Sequence, residues 1–393
     1  MRTHHGRVLA LALVAALAGC TTTSGDAETD ASVEPSVPSV APASPSEQAE
    51  FPTAAFAHIS EDPVFEEVAA EFRAALSDMA GEGGMAATVM SADGTWSGAA
   101  GKADGVRDVR VDDQFGIASV TKPVIAAQVM QMVEAGELAL DDPAADHLPP
   151  DLDFDTNGAT IRQLLGQRSG IPDWYDDVMR ESVSTDRRRF WKPADVLELV
   201  GPGRAPAGEE FEYTDTNYTL LGLVIEQVRG RPVADVLRDG VLGIDGIERL
   251  VYQPDEAPTK PMAMPDGEST AALKKGGGYL PSLADASSAG PAGAIASDSP
   301  SLARWWRAFC AGEIVSQDSL TEMTTFHDEY GLGLFDVADP YARGVGHLGE
   351  NFGYVAWAGC LPEDGSVVVV LANSDVEEIW EMARPLVDAL RSP

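Results

Sequence analysis

Phe115-Gly116-Ile117-Ala118-Ser119-Val120-Thr121-Lys122 carries a hydroxyl and an amine three residues apart, where the pattern predicts a helix over 119–134. Residues three apart on a helix share a face, so the Lys122 amine can reach the Ser119 hydroxyl. A serine nucleophile needs a partner that takes its proton, and a desolvated lysine with a lowered pKa can do so. The amides of a helix start lend positive potential to an oxyanion formed there. Pro123 suits these first turns, where a lost amide costs least. The chain has six lysines, and only Lys122 has a serine three residues before it. A surface Ser and Lys at a helix start would read the same way, so the motif needs partners.

Two further stretches supply them. Phe211-Glu212-Tyr213-Thr214-Asp215-Thr216-Asn217-Tyr218 leads into the apolar run 219–228. A tyrosine at such a loop–helix junction can exchange a proton with Lys122. The competing reading is a core tyrosine beside a helix-capping Asp215. Tyr175-Asp176-Asp177 has a similar form but follows no comparable loop. The third stretch is Gly346-His347-Leu348-Gly349, on an expected strand. Alternate residues of a strand share a face, so His347 and Gly349 would both face a cleft. Gly349 would leave room for a substrate backbone. Lys274-Lys275-Gly276 competes for this role, but it lies in a glycine-rich loop with no hairpin after it.

In order, context and spacing, the three together resemble the serine β-lactamase and D,D-peptidase superfamily, in its branch of class C β-lactamases, D-Ala-D-Ala carboxypeptidases and related esterases. The resemblance runs from about Phe56 to Leu390. It includes Thr160-Ile161-Arg162-Gln163-Leu164-Leu165 before Ser169-Gly170-Ile171-Pro172, and Ala289-Gly290-Pro291-Ala292-Gly293 before a helix at Ser301. It implies that Ser119 forms the acyl-enzyme, with Lys122 and Tyr213 as its proton-transfer network. His347 stands where other members have Lys or His. The backbone N–H groups of Ser119 and Glu350 would form the oxyanion hole.

Departures from the family pattern carry information. Asp215 stands where the family usually has Asn. It loses the amide donors and adds a charge that favours protonated Lys122. Gln167 replaces a His common before Ser-Gly-Ile-Pro. Glu350-Asn351 follows Gly349 where small residues are frequent, and an acid there should repel a substrate carboxylate. Arg343, four residues before His347, could compensate.

Composition narrows the partners. Among 393 residues, 63 are acidic and 27 basic, giving a net charge of −36. Such a surface repels phosphate and anionic lipid, which excludes nucleic acid as a partner. Hydrophobic content of 44% indicates a globular chain. No Gly-x-Ser-x-Gly occurs, which argues against an α/β-hydrolase. No acids cluster with His147 or His327 at metal-ligand spacing, and neither metal nor cofactor is expected.

The first residues read as an address. Arg2 and Arg7 precede twelve apolar or small residues, Val8 to Gly19, too few to span a bilayer. Leu17-Ala18-Gly19-Cys20 resembles the lipobox of bacterial lipoproteins. Residues 1–19 are thus expected to be a signal peptide and Cys20 to be lipidated. Residues 20–50 read as a disordered linker of Ser, Thr, Pro, Ala and acids. As a coil it reaches about 30 Å from the membrane. The expected folded domain is 51–393, extracytoplasmic and held to the membrane by the lipid alone. Cys310 and Cys360 could there form a disulfide or stay as two buried thiols.

The expected fold is α+β: an antiparallel sheet built from both ends of the chain, flanked by N- and C-terminal helices, with a mostly helical lobe over about 141–285. The pattern predicts helices over 63–80, 301–311 and 375–390, and strands over 86–91, 96–101, 330–337, 344–348, 353–360 and 366–372. Trp174, Tyr175, Trp305 and Trp306 are candidates for pocket walls, with core packing favoured for the last two. The function expected is an extracytoplasmic serine hydrolase, D-Ala-D-Ala carboxypeptidase-like on peptidoglycan stems. The alternatives are an esterase or β-lactamase and, from another class, a non-catalytic sensor lipoprotein.

Overall fold

The β-branched run Val367–Val370 sits at the centre of the main sheet and is buried on both sides. The computed structural model describes residues 50–392 except 82, 176, 266–276, 338–343 and 377. The expected signal peptide, Cys20 and most of the linker therefore lie outside the described residues, as do Lys274-Lys275-Gly276 and Arg343. Residues 47–393 belong to one compact unit.

The chain begins with α1 (Glu66–Ala80), β1 (Gly84–Ser91), β2 (Gly94–Gly101), β3 (Phe115–Gly116) and α2 (Thr121–Glu134). A helical stretch follows: α3 (Ile161–Leu165), α4 (Asp177–Thr185), α5 (Pro193–Leu197), α6 (Asp215–Arg229) and α7 (Val233–Asp239). Next come β4 (Val251–Tyr252), α8 (Leu283–Ala289), β5 (Ile295–Ser297), α9 (Ser299–Cys310) and α10 (Gln317–Met323). The end is β6 (Phe335–Asp336), β7 (Val345–Asn351), β8 (Tyr354–Leu361), β9 (Ser366–Ala372) and α11 (Arg384–Leu390).

Six strands pair antiparallel in the order β2-β1-β9-β8-β7-β6, so both ends of the chain do build one sheet. Successive side chains of a strand face opposite ways. Val368 and Val370 pack with Phe72 and Leu76 of α1 and Leu386 of α11. Val367, Val369 and Leu371 pack with Leu302, Trp305 and Trp306 of α9 on the other face. Fully burying each such side chain contributes about 1.5–3 kcal/mol. Both tryptophans of α9 are core residues, as expected.

Two expected elements are shorter than predicted. The closing helix over 375–390 is instead a 3-10 turn, Ile379–Glu381, followed by α11. Pro385 lies at the start of α11 and cannot continue a helix from before it, since it lacks the amide and its ring crowds the preceding turn. The apolar face is still correct: Met382, Ala383 and Leu386 are buried. The strand expected over 330–337 pairs with β7 only at Phe335 and Asp336. Its start folds back instead, with His327 and Tyr330 bridged to each other.

Cys310 at the end of α9 and Cys360 on β8 form a disulfide. It ties the core helix to the sheet across a sequence separation of 50. The smaller sheet, ordered β3-β5-β4, holds the segment leading to Ser119. Phe115 pairs with Ser297 and Gly116 with Ala296. The Ile117 amide then donates to the Ile295 carbonyl at 3.0 Å.

Candidate active site

Ser119 lies in a 3-10 turn, Ala118–Val120, just ahead of α2, and it is partly exposed. Ala118 holds φ +46°, a conformation costly for a residue with a Cβ and maintained only where the surroundings impose it. Strand β7 runs alongside this turn. A Cβ at Gly349 would stand 2.2 Å from the Ile117 carbonyl oxygen and 3.3 Å from the Ala118 Cβ. Gly349 thus makes room for the protein's own backbone, not for a substrate chain as expected from the strand pattern. The close approach brings the Glu350 segment of β7 to the turn that holds Ser119.

Lys122 sits in the first turn of α2 with no exposed surface. Its Nζ donates to Ser119 Oγ at 3.0 Å, to Asp215 Oδ1 at 2.6 Å and to the Ala292 carbonyl at 2.9 Å. Three acceptors match the three protons of an ammonium. Burial works against that charge, but Asp215 and Tyr213 outweigh it and raise the pKa of Lys122 above its ordinary value.

Tyr213 lies beside both groups. Its ring centre is 4.9 Å from the lysine nitrogen, and its phenol is close enough to Lys122 and Ser119 that both favour its ionised form. Burial and Asp215 raise the phenol pKa, against the pull of Lys122. Ser119, Lys122, Tyr213 and Asp215 therefore meet at one point, as the three motifs together require. Thr214, not Asp215, caps α6, by accepting from the Thr216 amide.

His347 is buried on β7 and packs against Phe335, Tyr330 and Tyr213 at 4.9, 5.9 and 6.2 Å between ring centres. Its Nδ1 donates to the Leu348 carbonyl at 2.6 Å, leaving Nε2 to accept from the Tyr330 hydroxyl at 3.3 Å. Burial and the Lys122 charge push its pKa down to about 3. The imidazole is neutral and offers no positive charge to a substrate.

Several residues that matter here carried no role in the sequence reading. The amides of Asp215 and Tyr175 donate to Asp173 Oδ1, at 3.1 and 3.2 Å. Gln167 is fully buried at φ +58°, and its Oε1 accepts from the Thr214 amide at 3.1 Å and Asn217 Nδ2 at 2.7 Å. Ser169 Oγ donates to Asn217 Oδ1 at 2.6 Å. The loop 167–175 is thus fastened to the start of α6, which sets Tyr213 and Asp215. The only sequence signal was Ser-Gly-Ile-Pro itself. Tyr175, a candidate pocket wall in the sequence, closes one end of the region, where its hydroxyl donates to Asn351 Oδ1 at 3.2 Å.

Acidic side chains gather around Lys122. Asp173 is pushed up to about 7 by burial and by Asp215. Asp285 on α8 is 2% exposed and accepts from Asn351 Nδ2 at 2.7 Å, while its Oδ1 has no hydrogen-bond partner among the described residues. Burial, with Asp215 adding to it, pushes Asp285 up to about 7. Glu350 is exposed on β7.

The Beta-lactamase family model matches residues 68–391. "Protein flp" of Staphylococcus aureus strain MW2 is 32% identical over 130 residues, 32% of this chain and 25% of that protein. "Penicillin-binding protein 4" of Amycolatopsis lactamdurans is 35% identical over 153 residues, 38% of this chain and 39% of that one. The matches thus span well under half the length of either relative. A D-stereospecific amidohydrolase from Streptomyces sp. superposes with a TM-score of 0.66 at 25% identity, covering 82% of this chain and 98% of its own.

Proposed function

The chain belongs to the Beta-lactamase family, and on that premise we propose that it is a serine hydrolase that forms an acyl-enzyme on Ser119. The reading rests on one observation: the buried Lys122 Nζ donates to Ser119 Oγ at 3.0 Å, with the Tyr213 ring centre 4.9 Å from the same nitrogen. Attack of Ser119 Oγ on the acyl carbon moves the hydroxyl proton through Tyr213 and Lys122 to the departing nitrogen or oxygen. Water then cleaves the acyl-enzyme and restores the serine. The N–H groups of Ser119 and Glu350 are the proposed oxyanion donors, supported by the contact of Gly349 with the Ile117 carbonyl.

The substrate we favour is a small amide or ester whose acyl part carries a free ammonium group. Asp215 lies on Lys122 and Glu350 is exposed on β7, while burial keeps Asp173 and Asp285 partly protonated and His347 neutral. Complementary charge draws a cation into such a site and turns a carboxylate away. The likeness to a D-stereospecific amidohydrolase agrees with an amide substrate. The carboxypeptidase reading keeps second place, supported by the partial match to a penicillin-binding protein and by the lipobox-like start, which agrees with a domain outside the cytoplasmic membrane.

Hydrolysis of D-phenylalanine amide, its N-acetyl derivative and an N-acylated peptide ending in D-Ala-D-Ala decides between them. The free-amine amide should have a kcat/KM higher by about tenfold or more than the N-acetyl form. A faster reaction with the peptide would restore the carboxypeptidase reading. Ser119→Ala should abolish all three, and surviving turnover would overturn the acyl-enzyme.

A further inference from the structure

Further along the face of α6 that carries Asp215, and beside the Gly290–Ala292 turn, lies a cavity of about 160 Å³. Its walls include Trp191, Leu223, Tyr252 and Pro291, with Phe190 at the mouth. An apolar cavity of about 150 Å³ is large enough for one benzene ring. Phe190 is 55% exposed, a large apolar side chain left at the entrance.

Two carboxylates give this space a sign. Glu226 of α6 and Asp255 after β4 both line it. Glu226 uses one oxygen to accept from the Val233 amide at 3.0 Å. Among the described residues, neither acid has a Lys, Arg or His within salt-bridge distance. Burial raises both carboxyl pKa values, and Asp255 raises that of Glu226 further. A cation between them would relieve that repulsion.

We propose that this cavity is a second ligand site, separate from Ser119, which takes an organic ammonium ion with one aromatic ring. The ring fills the space between Trp191, Leu223, Tyr252 and Pro291, and the ammonium meets Glu226 and Asp255. The site adjoins the catalytic centre. Pro291 immediately precedes Ala292, whose carbonyl accepts from Lys122. The other wall continues along α6 to Thr219, whose hydroxyl donates to the Asp215 carbonyl at 3.3 Å.

Titration calorimetry of the full chain with 2-phenylethylammonium chloride tests this, with 3-phenylpropionate as the anionic counterpart. The cation should bind and the anion should not. Glu226→Gln with Asp255→Asn should weaken the cation by about tenfold or more, through loss of charge-assisted contacts. Leu223→Trp, which fills the cavity without touching either acid, should abolish binding. Thermal melts of each variant verify that it folds. Unchanged affinity in both variants would mean that the amine occupies the acidic catalytic cleft instead, and would overturn the proposal. So would equal binding of the anion. Binding is read without turnover, so the outcome stands apart from whether Ser119 is the nucleophile.

Discussion

Lys122 Nζ lies closer to Asp215 Oδ1, at 2.6 Å, than to Ser119 Oγ, at 3.0 Å. The lysine is therefore held as an ammonium by a carboxylate where the family usually has an amide. Only its neutral form can take the serine proton, and Asp215 makes that form scarce at neutral pH. The acylation rate should rise with pH beyond neutrality. Asp215→Asn keeps an acceptor for Lys122 and removes the charge, so the neutral amine appears at lower pH. Burst-phase acylation measured across pH should show the rising limb displaced downward and a faster rate at pH 7. An unchanged profile would mean that Asp215 does not restrain Lys122.

Gly349 is the second test of how the site is assembled. An alanine there would place its Cβ 2.2 Å from the Ile117 carbonyl oxygen, and backbone cannot yield as a flexible side chain does. Strand β7 must move away from the turn holding Ser119. A misplacement of about 1 Å near reacting atoms costs about 100-fold in rate. Gly349→Ala should therefore lose about that factor in kcat while costing only about 1–3 kcal/mol of stability. Near-normal turnover would separate the Glu350 segment from oxyanion stabilisation.

Asp285 makes a prediction about stability. Its folded pKa, about 7, lies above the ordinary value of 3.8. The folded state thus holds this proton more tightly than the unfolded chain does. That contribution is present below the ordinary carboxylate value and is lost as pH rises toward about 7. Asparagine keeps an oxygen for the Asn351 amide and never ionises. The melting temperature of Asp285→Asn relative to the native protein should accordingly increase from pH 4 to pH 8. A difference independent of pH would show that Asp285 is not buried as a charge.

What could be read from the sequence divides by range. Ser119 in the 3-10 turn that enters α2 and Lys122 in the first turn of α2 are three residues apart, so their contact follows from local geometry. Strands β1, β2, β8 and β9 and helix α1 were visible for the same reason, since alternation, β-branched runs and helical spacing are local patterns. Tyr213 and His347 needed the order of three motifs and the resemblance they support. Asp173 and Asp285 were invisible, and Gln167 was noticed as a departure but given no role, because each acts through a tertiary contact: Asp173 on the amide of Asp215, Gln167 on that of Thr214, Asp285 on the side chain of Asn351. Gly349 was noticed for the wrong reason, since a glycine announces close approach but not what approaches. Pro385 was legible and underweighted: the apolar face over 376–390 is correct, but a proline inside it divides the helix.

The disulfide between Cys310 and Cys360 resolves the alternative that the sequence left open, and its setting carries the last prediction. Both cysteines are completely buried. A reductant cannot reach the bond until α9 separates from β8, so dithiothreitol should leave the folded protein oxidised and cut the bond only after denaturation. Cross-linking residues with a sequence separation of 50 restricts the unfolded chain by about 4 kcal/mol in the chain-entropy limit, and about 2–4 kcal/mol is typical. Cys310→Ala with Cys360→Ala should lower the guanidinium unfolding midpoint by the equivalent of that range. The Ser119–Lys122 pair does not touch the bond, so acylation at 25 °C should be unaffected. Rapid reduction under native conditions would mean that α9 opens from the sheet far more readily than its buried Trp305 and Trp306 allow.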